Sequence, residues 1–334
     1  MDGFVRSRQR LAVLSDLGVP VVTSDPIRIW RLSAVERLRL RDGTSVVFKY
    51  ALAPFTGEHI VLADLARHGI RVPAVRAATV IDGMLGMILE DLGDPVRDPT
   101  EHDAAAAAVH LHGADVPAGL DRLGERDLAA LPGQALAYLD QLQADGRYGD
   151  SRDLRNLLAA LAQVAARRAA GAERPPFGLC HGELHPSAIH IGPGGWRVLD
   201  FAMALHGPGL LDLASWPGLR RPADPPSTRS LIEQYIRAGG HPAALDDRGD
   251  LPAERWALGW HRVQAAHWLL GCAIHGIDTP DTDTRNATVL RRQLSGAVDL
   301  LDADDGGSDI AASSGRPARG RTSRTAARLL PGLA

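Results

Sequence analysis

Two acidic residues flank a short predicted hairpin in the sequence: Glu183 lies before its first strand and Asp200 directly after its second. Residues 188–191 and 196–199 alternate as strands do, and the glycine-rich residues 192–195 between them are typical of a turn. Because Glu183 precedes the first strand and Asp200 follows the second, the hairpin brings both carboxylates to its open end. One carboxylate could accept a proton from a hydroxyl while the other holds a divalent metal on phosphate oxygens. The alternative is a surface hairpin with scattered acids.

The segments around this hairpin contain known motifs. His181–Ala188 reads H-G-E-L-H-P-S-A, and Leu199–Ala202 reads L-D-F-A. They resemble the H-G-D-L-H-P-x-N and I-D-F-G motifs of the aminoglycoside phosphotransferase and choline kinase family. Gly207–Ala214, G-P-G-L-L-D-L-A, is similar to that family's G-D-P-x-x-D-L-A. The resemblance implies an α+β, protein-kinase-like fold with a small antiparallel β-sheet lobe and a larger, mainly helical lobe.

The resemblance also implies a role for each motif position. The family's catalytic-loop Asp, which contacts the accepting hydroxyl, corresponds to Glu183, and His181 belongs to the same catalytic motif. The loop Asn and the D-F-G-type Asp, which hold magnesium, correspond to Ala188 and Asp200, and a later Asp that braces the loop corresponds to Asp212. Two positions depart from the pattern. Glu183 is longer than Asp by one methylene, and Ala188 has no oxygen that could coordinate magnesium.

Composition limits the class of protein that can present these motifs. The chain has 334 residues, 45% hydrophobic and 23% charged, as expected of a globular protein with one large or two modest domains. Its two cysteines, Cys180 and Cys272, provide no disulfide framework, which favours a reducing cytoplasm. No apolar run long enough to span a membrane is present, so neither secretion nor membrane insertion is expected. The net charge of -3 argues against a general nucleic-acid binder.

Lys49 is the only lysine among 37 basic residues. Because the chain uses arginine for every other basic residue, the lysine at position 49 indicates a need for a compact ammonium group there. The alternative is that this lysine was retained by chance. The acidic residues are also unevenly used, with nine Glu and 31 Asp. A glutamate at position 183 is therefore the less common choice of acid in this chain.

The first part of the chain predicts a three-stranded meander that positions Lys49. After a helical pattern within residues 1–24, strands are expected at 27–32, 35–40 and 45–51, with Ser33-Ala34 as the first turn. In the resembling family such a third-strand Lys pairs with ATP phosphates. The glycine-rich loop usual between the first two strands is absent, which removes a close backbone approach to phosphate.

A helix and a hinge follow the meander. Glu58 opens a predicted helix, and the resemblance implies that it holds Lys49; the alternative is a helix-start Glu favoured by the helix dipole. Two strands, 74–81 and 84–89, precede Glu90, Asp91 and Leu92, which resemble the hinge whose backbone binds adenine.

The rest of the chain is predicted to be helical, at 102–113, 132–142, 154–170, 227–238, 252–275 and 288–301. In the fifth of these helices, Trp256, Trp260 and His267 lie near i, i+4 spacing. They form either an aromatic wall of the acceptor pocket or a core stripe. His110 and His112 lie on different helix faces and are not expected to bind a metal together.

These observations predict two lobes and two candidate functions. Residues 1–92 form the expected nucleotide-binding lobe, 93–303 the helical catalytic and acceptor-binding lobe, and 304–334 a disordered tail. The first function is an ATP- and Mg²⁺-dependent kinase acting on a hydroxyl of a small molecule such as an antibiotic or metabolite, with neither nucleic acid nor membrane as partner. The second is a catalytically silent relative that binds a nucleotide or metabolite and acts through a partner.

Overall fold

The strands of the small lobe form one antiparallel sheet in a computed structural model that describes residues 20–303. The order across the sheet is β1-β2-β3-β5-β4. The strands are β1 (Val21–Ile29), β2 (Ser33–Leu40), β3 (Ser45–Leu52), β4 (Val75–Ile81) and β5 (Met84–Glu90). The helical pattern expected before residue 20 and the tail expected after residue 303 lie outside the described residues.

The first turn of the sheet differs from the sequence-based expectation. β1 ends at Ile29, and residues 30–32 make the connection, because the Trp30 amide donates to the Ser33 carbonyl at 2.8 Å. Ser33 and Ala34, expected in the turn, are buried in β2 and pair with Ala51 and Tyr50. The pattern misled because small residues suit both a turn and a buried strand next to bulky neighbours.

The large lobe contains most of the helices. α1 (Glu58–Arg67) packs under the sheet of the small lobe, and the others follow the hinge. These are α2 (Glu101–His112), α3 (Glu125–Ala144), α4 (Arg152–Ala169), α5 (Leu210–Ser215), α6 (Pro225–Arg237), α7 (Ala253–Ile274) and α8 (Asp283–Leu300).

Two helices begin earlier than the sequence predicted. α3 starts at Glu125 rather than at Pro132, because the Asp127 carboxylate accepts a hydrogen bond from the Gly124 amide at 2.8 Å and closes the first turn. α8 starts at Asp283, whose carboxylate is held by Arg147 at 2.6 Å. Both starts depend on polar first-turn residues, which carry no apolar periodicity.

The predicted hairpin is present between two short paired strands, β7 (Ile189–Gly192) and β8 (Gly195–Val198). Its register pairs Ile191 with Trp196, as expected. Ser187 lies outside the ladder, in a 3₁₀ turn, although it still lines the cleft together with Asp200. β6 (Phe177–Cys180) and β9 (Leu205–Pro208) pair separately and frame the loop that contains Glu183.

The core of the large lobe is built around α7. Trp256 and Trp260 are fully buried there, and both indole N–H groups donate to the Arg168 carbonyl, at 2.6 and 3.1 Å. Cys180 and Cys272 are buried free thiols. Within residues 20–303, no helix is both long enough and apolar enough to cross a lipid bilayer.

Candidate active site

A cleft of about 500 Å³ separates the sheet from the hairpin and the hinge. β1, β2 and β3 contribute one wall, and the β7–β8 hairpin contributes the opposite wall. We call this space the interlobe cleft. The side chains that matter most for its chemistry are Arg28, Arg37, Lys49, Glu58, His190 and Asp200.

Lys49 lies between two carboxylates at the bottom of the interlobe cleft. Its Nζ is 2.6 Å from Glu58 Oε2 and 2.7 Å from Asp200 Oδ1. The side chains of Lys49 and Glu58 are only 6% and 1% exposed, so their charges must be compensated inside the protein. The structure therefore joins three sequence-predicted residues from β3, α1 and the end of the hairpin.

This ion cluster shifts the pKa of its members. Burial disfavours the ammonium of Lys49, but the charges of Asp200 and Glu58 outweigh it and raise the pKa of Lys49. Burial also opposes ionisation of Asp200, yet Lys49 and Arg28 lower the pKa of Asp200 below that of a free aspartic acid. Lys49 therefore stays cationic and Asp200 stays anionic at neutral pH.

Asp200 is held in an uncommon backbone conformation, with φ 65° in the left-handed region. Asp and Asn tolerate this region better than other residues with a Cβ atom. The preceding residue is fixed by the hairpin, because the Leu199 amide donates to the Ala188 carbonyl at 2.8 Å. The turn after β8 therefore points the Asp200 carboxylate back at Lys49 rather than continuing the strand.

Glu183 is half-buried in the loop between β6 and the hairpin. Burial raises the pKa of Glu183 well above that of a free glutamic acid, and the negative charge of Asp200 adds to the effect. A carboxylate with a raised pKa is a better proton acceptor near neutral pH than a free one. Glu183 therefore holds a proton more tightly than a free glutamic acid does.

His181 braces the loop and does not face the interlobe cleft. It is 1% exposed, and its Nδ1 accepts a hydrogen bond from the Glu183 amide at 3.1 Å. That contact assigns the proton to Nε2, which donates to the Leu199 carbonyl at 2.7 Å. Both ring nitrogens of His181 are thus engaged in contacts that tie the Glu183 loop to the end of the hairpin.

Asp212 holds the same loop through hydrogen bonds to its backbone. Its Oδ1 accepts the Gly182 amide at 2.8 Å, and its Oδ2 accepts the His181 amide at 2.7 Å. Asp212 is fully buried, and His112 Nε2 lies 3.4 Å from Oδ2. Burial opposes its charge, but the contact with His112 and the two amides lower the pKa of Asp212, so it remains an anion. The loop is thus fixed at two consecutive amides.

The three hinge residues lie along the cleft wall, as the sequence placed them. Asp91 accepts hydrogen bonds from Ser45 Oγ at 2.6 Å and from the Gly93 amide at 3.0 Å. Glu90 accepts from the Ala74 amide at 3.2 Å. Both acidic side chains are thus occupied in holding the hinge, and the Glu90 amide donates to the Ala74 carbonyl at 2.9 Å, so Asp91 and Leu92 are the hinge residues whose backbone can face a ligand.

A sequence model of the phosphotransferase enzyme family matches residues 27–252, a span that includes Lys49, Glu58, Glu183, Asp200 and Asp212. The chain belongs to the phosphotransferase enzyme family. A comparison with curated proteins finds no match.

Solved structures show the same fold as this phosphotransferase-family member. Macrolide 2'-phosphotransferase MphH from Brachybacterium faecium has a TM-score of 0.54 at 18% identity, covering 88% of this chain and 98% of that one. Amicoumacin kinase hAmiN, solved with AMP-PNP, Ca²⁺ and Ami, has a TM-score of 0.58 at 13% identity, covering 90% and 96%. Choline kinase from Cryptosporidium parvum Iowa II has a TM-score of 0.54 at 12% identity, covering 84% and 90%. The expected kinase-like fold is therefore confirmed.

The acceptor wall expected on α7 is not found. Trp256 and Trp260 have no exposed surface and are hydrogen-bonded within the core, which is the alternative that their spacing left open. His267 packs against Tyr138, with ring centroids 5.3 Å apart, and burial lowers its pKa to about 4. An aromatic stripe on a helix predicts that this face is buried. It does not distinguish a face packed in the core from one that lines a pocket.

A second cavity, of about 230 Å³, was missed by sequence reasoning. It is lined by Pro186 of the catalytic loop, by Trp216 after α5, and by the charged residues Glu101, Arg221 and Asp224. We call it the loop cavity. Apart from Pro186, these residues lie in segments without a motif, so the sequence offered no signal for the cavity.

Glu183→Gln is expected to stabilise this phosphotransferase-family member by about 1 kcal/mol at neutral pH, because burial and the charge of Asp200 disfavour the ionised form of Glu183. The folded-state pKa of Glu183 is raised, so the stability from its protonated form is complete below the ordinary pKa and is lost as pH rises through the folded pKa. The advantage of the variant should therefore be absent near about pH 4 and grow with pH. Thermal unfolding from acidic to neutral pH measures it.

Glu173→Gln provides a control of opposite sign. Hydrogen bonds from Arg122 and from the Glu125 amide lower the pKa of Glu173 to about 2. Its stabilising contribution is present above the ordinary pKa of glutamic acid and is lost at lower pH, so this variant should gain nothing at neutral pH. Equal pH profiles for Glu183→Gln and the wild type would contradict the buried, proton-binding state of Glu183.

Proposed function

We propose that the protein is an ATP-dependent kinase that transfers the γ-phosphoryl group to a hydroxyl of a small molecule. Membership of the phosphotransferase family supports transfer of phosphate. The observation that carries the proposal is the position of Lys49, whose Nζ lies 2.6 Å from Glu58 and 2.7 Å from Asp200 inside a cleft of about 500 Å³. A fixed ammonium at the bottom of such a cleft is a binding site for phosphate oxygens.

The nucleotide has a natural orientation in the interlobe cleft. Backbone groups of Asp91 and Leu92 can bind adenine at the hinge end, where the neighbouring acidic side chains are already engaged. Lys49 then meets the phosphates at the opposite end, and Glu58 keeps its side chain extended toward them. The AMP-PNP bound in the amicoumacin kinase structure is in keeping with a nucleotide in this fold.

A divalent metal fits this site with a single protein ligand. Asp200 is an anionic carboxylate, 24% exposed, and could hold one ion against the phosphates, where the ion would neutralise charge that develops during transfer. Ala188, at the position of the family's second ligand, is 1% exposed and has no donor atom. The chain therefore supports one metal ion at Asp200 and provides nothing for a second ligand at Ala188.

Glu183 would accept the proton of the attacking hydroxyl. In this step the hydroxyl oxygen bonds to the γ-phosphorus, the bond to the β–γ bridging oxygen breaks, ADP leaves, and the hydroxyl proton passes to Glu183. The hydrogen bonds of His181 and Asp212 to the loop backbone keep Glu183 in place during this transfer. The extra methylene of Glu183 alters the reach of the base but preserves its chemistry.

The acceptor is best placed at the loop cavity, because Pro186 of the catalytic loop forms part of its wall. Trp216 supplies an apolar face there, and Arg221 and Asp224 supply charges of both signs. A mixed lining of this kind suits a small hydroxyl compound with one apolar face better than a polycation. We therefore propose a neutral or zwitterionic acceptor rather than an aminoglycoside.

Acceptor-dependent release of ADP tests the proposed function. Purified protein with ATP and Mg²⁺ would be tested against macrolides, aminoglycosides, amino alcohols, sugars and nucleosides, and each product would be analysed for a mass gain of one phosphoryl group. We expect at least one acceptor to raise ADP release well above the background hydrolysis. Absence of any phosphorylated product across this panel would contradict the proposal.

A nucleotide-binding protein without transfer activity is the second candidate, and the buried methyl group of Ala188 favours it. The two candidates differ in one measurement. A silent relative binds ATP and yields no phosphorylated acceptor, whereas a kinase gives both results with the same preparation.

A further inference from the structure

Arg28 is a second cation of the interlobe cleft that no motif assigns. It lies on the edge strand β1, where the register pairs it with Val35 of β2, which in turn pairs with Lys49 of β3. Residues that face each other across neighbouring strands project from the same face of a sheet. Arg28 and Lys49 therefore project together into the interlobe cleft, which both of them line.

Arg28 and Lys49 each form an ion pair with a different oxygen of the Asp200 carboxylate. Arg28 Nη2 is 3.0 Å from Asp200 Oδ2, and Lys49 Nζ is 2.7 Å from Oδ1. Arg37, another cation of the cleft wall, is held at the hinge end by Asp91 and Asp94, both at 2.9 Å. The Arg28 side chain is 45% exposed, so a ligand in the interlobe cleft can reach its guanidinium.

The backbone that carries Arg28 is anchored to both lobes. Trp30, two residues later, packs against Phe55 with ring centroids 6.0 Å apart, and Phe55 packs against Trp268 of α7 at 6.2 Å. This aromatic chain fixes the end of β1 over the cleft. The backbone at Arg28 is thus held in place over the cleft, which lowers the cost of ordering its side chain on a ligand.

Charge balance defines what Arg28 can bind. The carboxyl groups of Glu58 and Asp200 already engage both cations, Lys49 and Arg28, before any ligand enters. A triphosphate brings several negative charges, the connection at residues 30–32 contains no glycine, and Ala188 offers no metal ligand. A guanidinium binds phosphate oxygens through two parallel N–H groups and keeps its charge at any pH.

We propose that Arg28 is a phosphate-binding residue that transfers from Asp200 to the nucleotide, supplying positive charge that a second metal ion and glycine-loop amides would otherwise provide. The inference rests on the proposed nucleotide site. It predicts that nucleotide binding by the wild type depends only weakly on divalent metal, and that this property is lost without Arg28.

Nucleotide affinity with and without metal tests the inference. Calorimetry would measure the Kd of ATP and of adenosine, each in Mg²⁺ and in excess EDTA, for the wild type and Arg28→Ala. We expect Arg28→Ala to weaken ATP binding in EDTA by about 10-fold or more and to leave adenosine binding unchanged, because only the phosphates meet the guanidinium. The ratio of the Kd in EDTA to that in Mg²⁺ should rise by a similar factor.

Two matched variants separate charge from geometry. Arg28→Lys keeps the charge without the planar fork and should recover part of the affinity. Arg39→Ala removes a cation from the same pair of strands, where Arg39 forms an exposed ion pair with Asp25, and should bind ATP as the wild type does. Both variants are expected to fold, because Arg28 and Arg39 are surface residues of the sheet.

Three results would overturn the inference. Equal ATP affinity in Arg28→Ala and the wild type would show that Arg28 does not meet the phosphates. Tighter Mg²⁺-dependent binding in Arg28→Ala would show that Arg28 only blocks Asp200. No ATP binding by the wild type in either buffer would contradict the proposed function as well, whereas ATP binding without transfer to any acceptor would contradict the proposed function alone.

Discussion

Asp200→Asn is expected to lower kcat/KM for phosphoryl transfer by about 1000-fold, the loss usual when a charged group that positions phosphate is removed. Asp200 is the anion that Lys49 and Arg28 share, at 2.7 and 3.0 Å, and it is the residue able to hold a metal ion here. Asn keeps the shape and tolerates the left-handed backbone at φ 65°, so the loss would report charge rather than misfolding. Steady-state rates with the best acceptor measure it.

Asp250→Asn is the matched control for this variant. Asp250 also has a left-handed backbone, with φ 60°, but it is exposed and outside the lining of the interlobe cleft. The same substitution should leave both activity and melting temperature unchanged. If Asp200→Asn keeps more than about a tenth of the wild-type activity, Asp200 is not the metal- and phosphate-positioning group.

Asp212→Asn is expected to destabilise the protein by about 3 kcal/mol, because a buried network loses its acceptor. The two Asp212 oxygens accept the Gly182 and His181 amides at 2.8 and 2.7 Å. An asparagine can accept only one of these bonds and turns an N–H donor toward the other amide. The melting temperature should fall by roughly 4 °C, measured by thermal unfolding.

The N-cap of α6 supplies the control for Asp212. Asp224 accepts the Ser227 amide at 3.1 Å, and Asn is as good an N-cap as Asp, so Asp224→Asn should change stability by no more than about 0.5 kcal/mol. A variant Asp212→Asn with normal stability but no activity would instead assign Asp212 a direct part in the chemistry.

The contacts of His181 add a structural part to what its motif indicated. The motif H-G-E-L-H-P placed His181 next to the base and suggested a catalytic part. In the structure, its ring joins the Glu183 amide to the Leu199 carbonyl and so ties the loop to the end of the hairpin. A motif records that a residue type is needed at a position, but only its contacts distinguish chemistry from support.

The helices of the large lobe show a similar division. Apolar periodicity predicted where most helices lie, because one buried face repeats about every 3.6 residues. It did not predict the starts of α3 and α8, which polar first-turn residues determine. Nor could it distinguish a core stripe from a pocket wall at Trp256 and Trp260, since both environments demand aromatic residues.

The sequence by itself determined the family, the kinase-like fold and the order of Lys49, Glu58, Asp200 and Asp212, because motif residues and strand or helix periods are local properties of the chain. Only the tertiary structure decided that Arg28 meets Asp200, 172 residues away, and that the loop cavity borders Pro186. Such contacts depend on how separate elements pack and on which exposed side chain reaches which charge. A local sequence pattern does not determine which residues far apart in the chain come into contact.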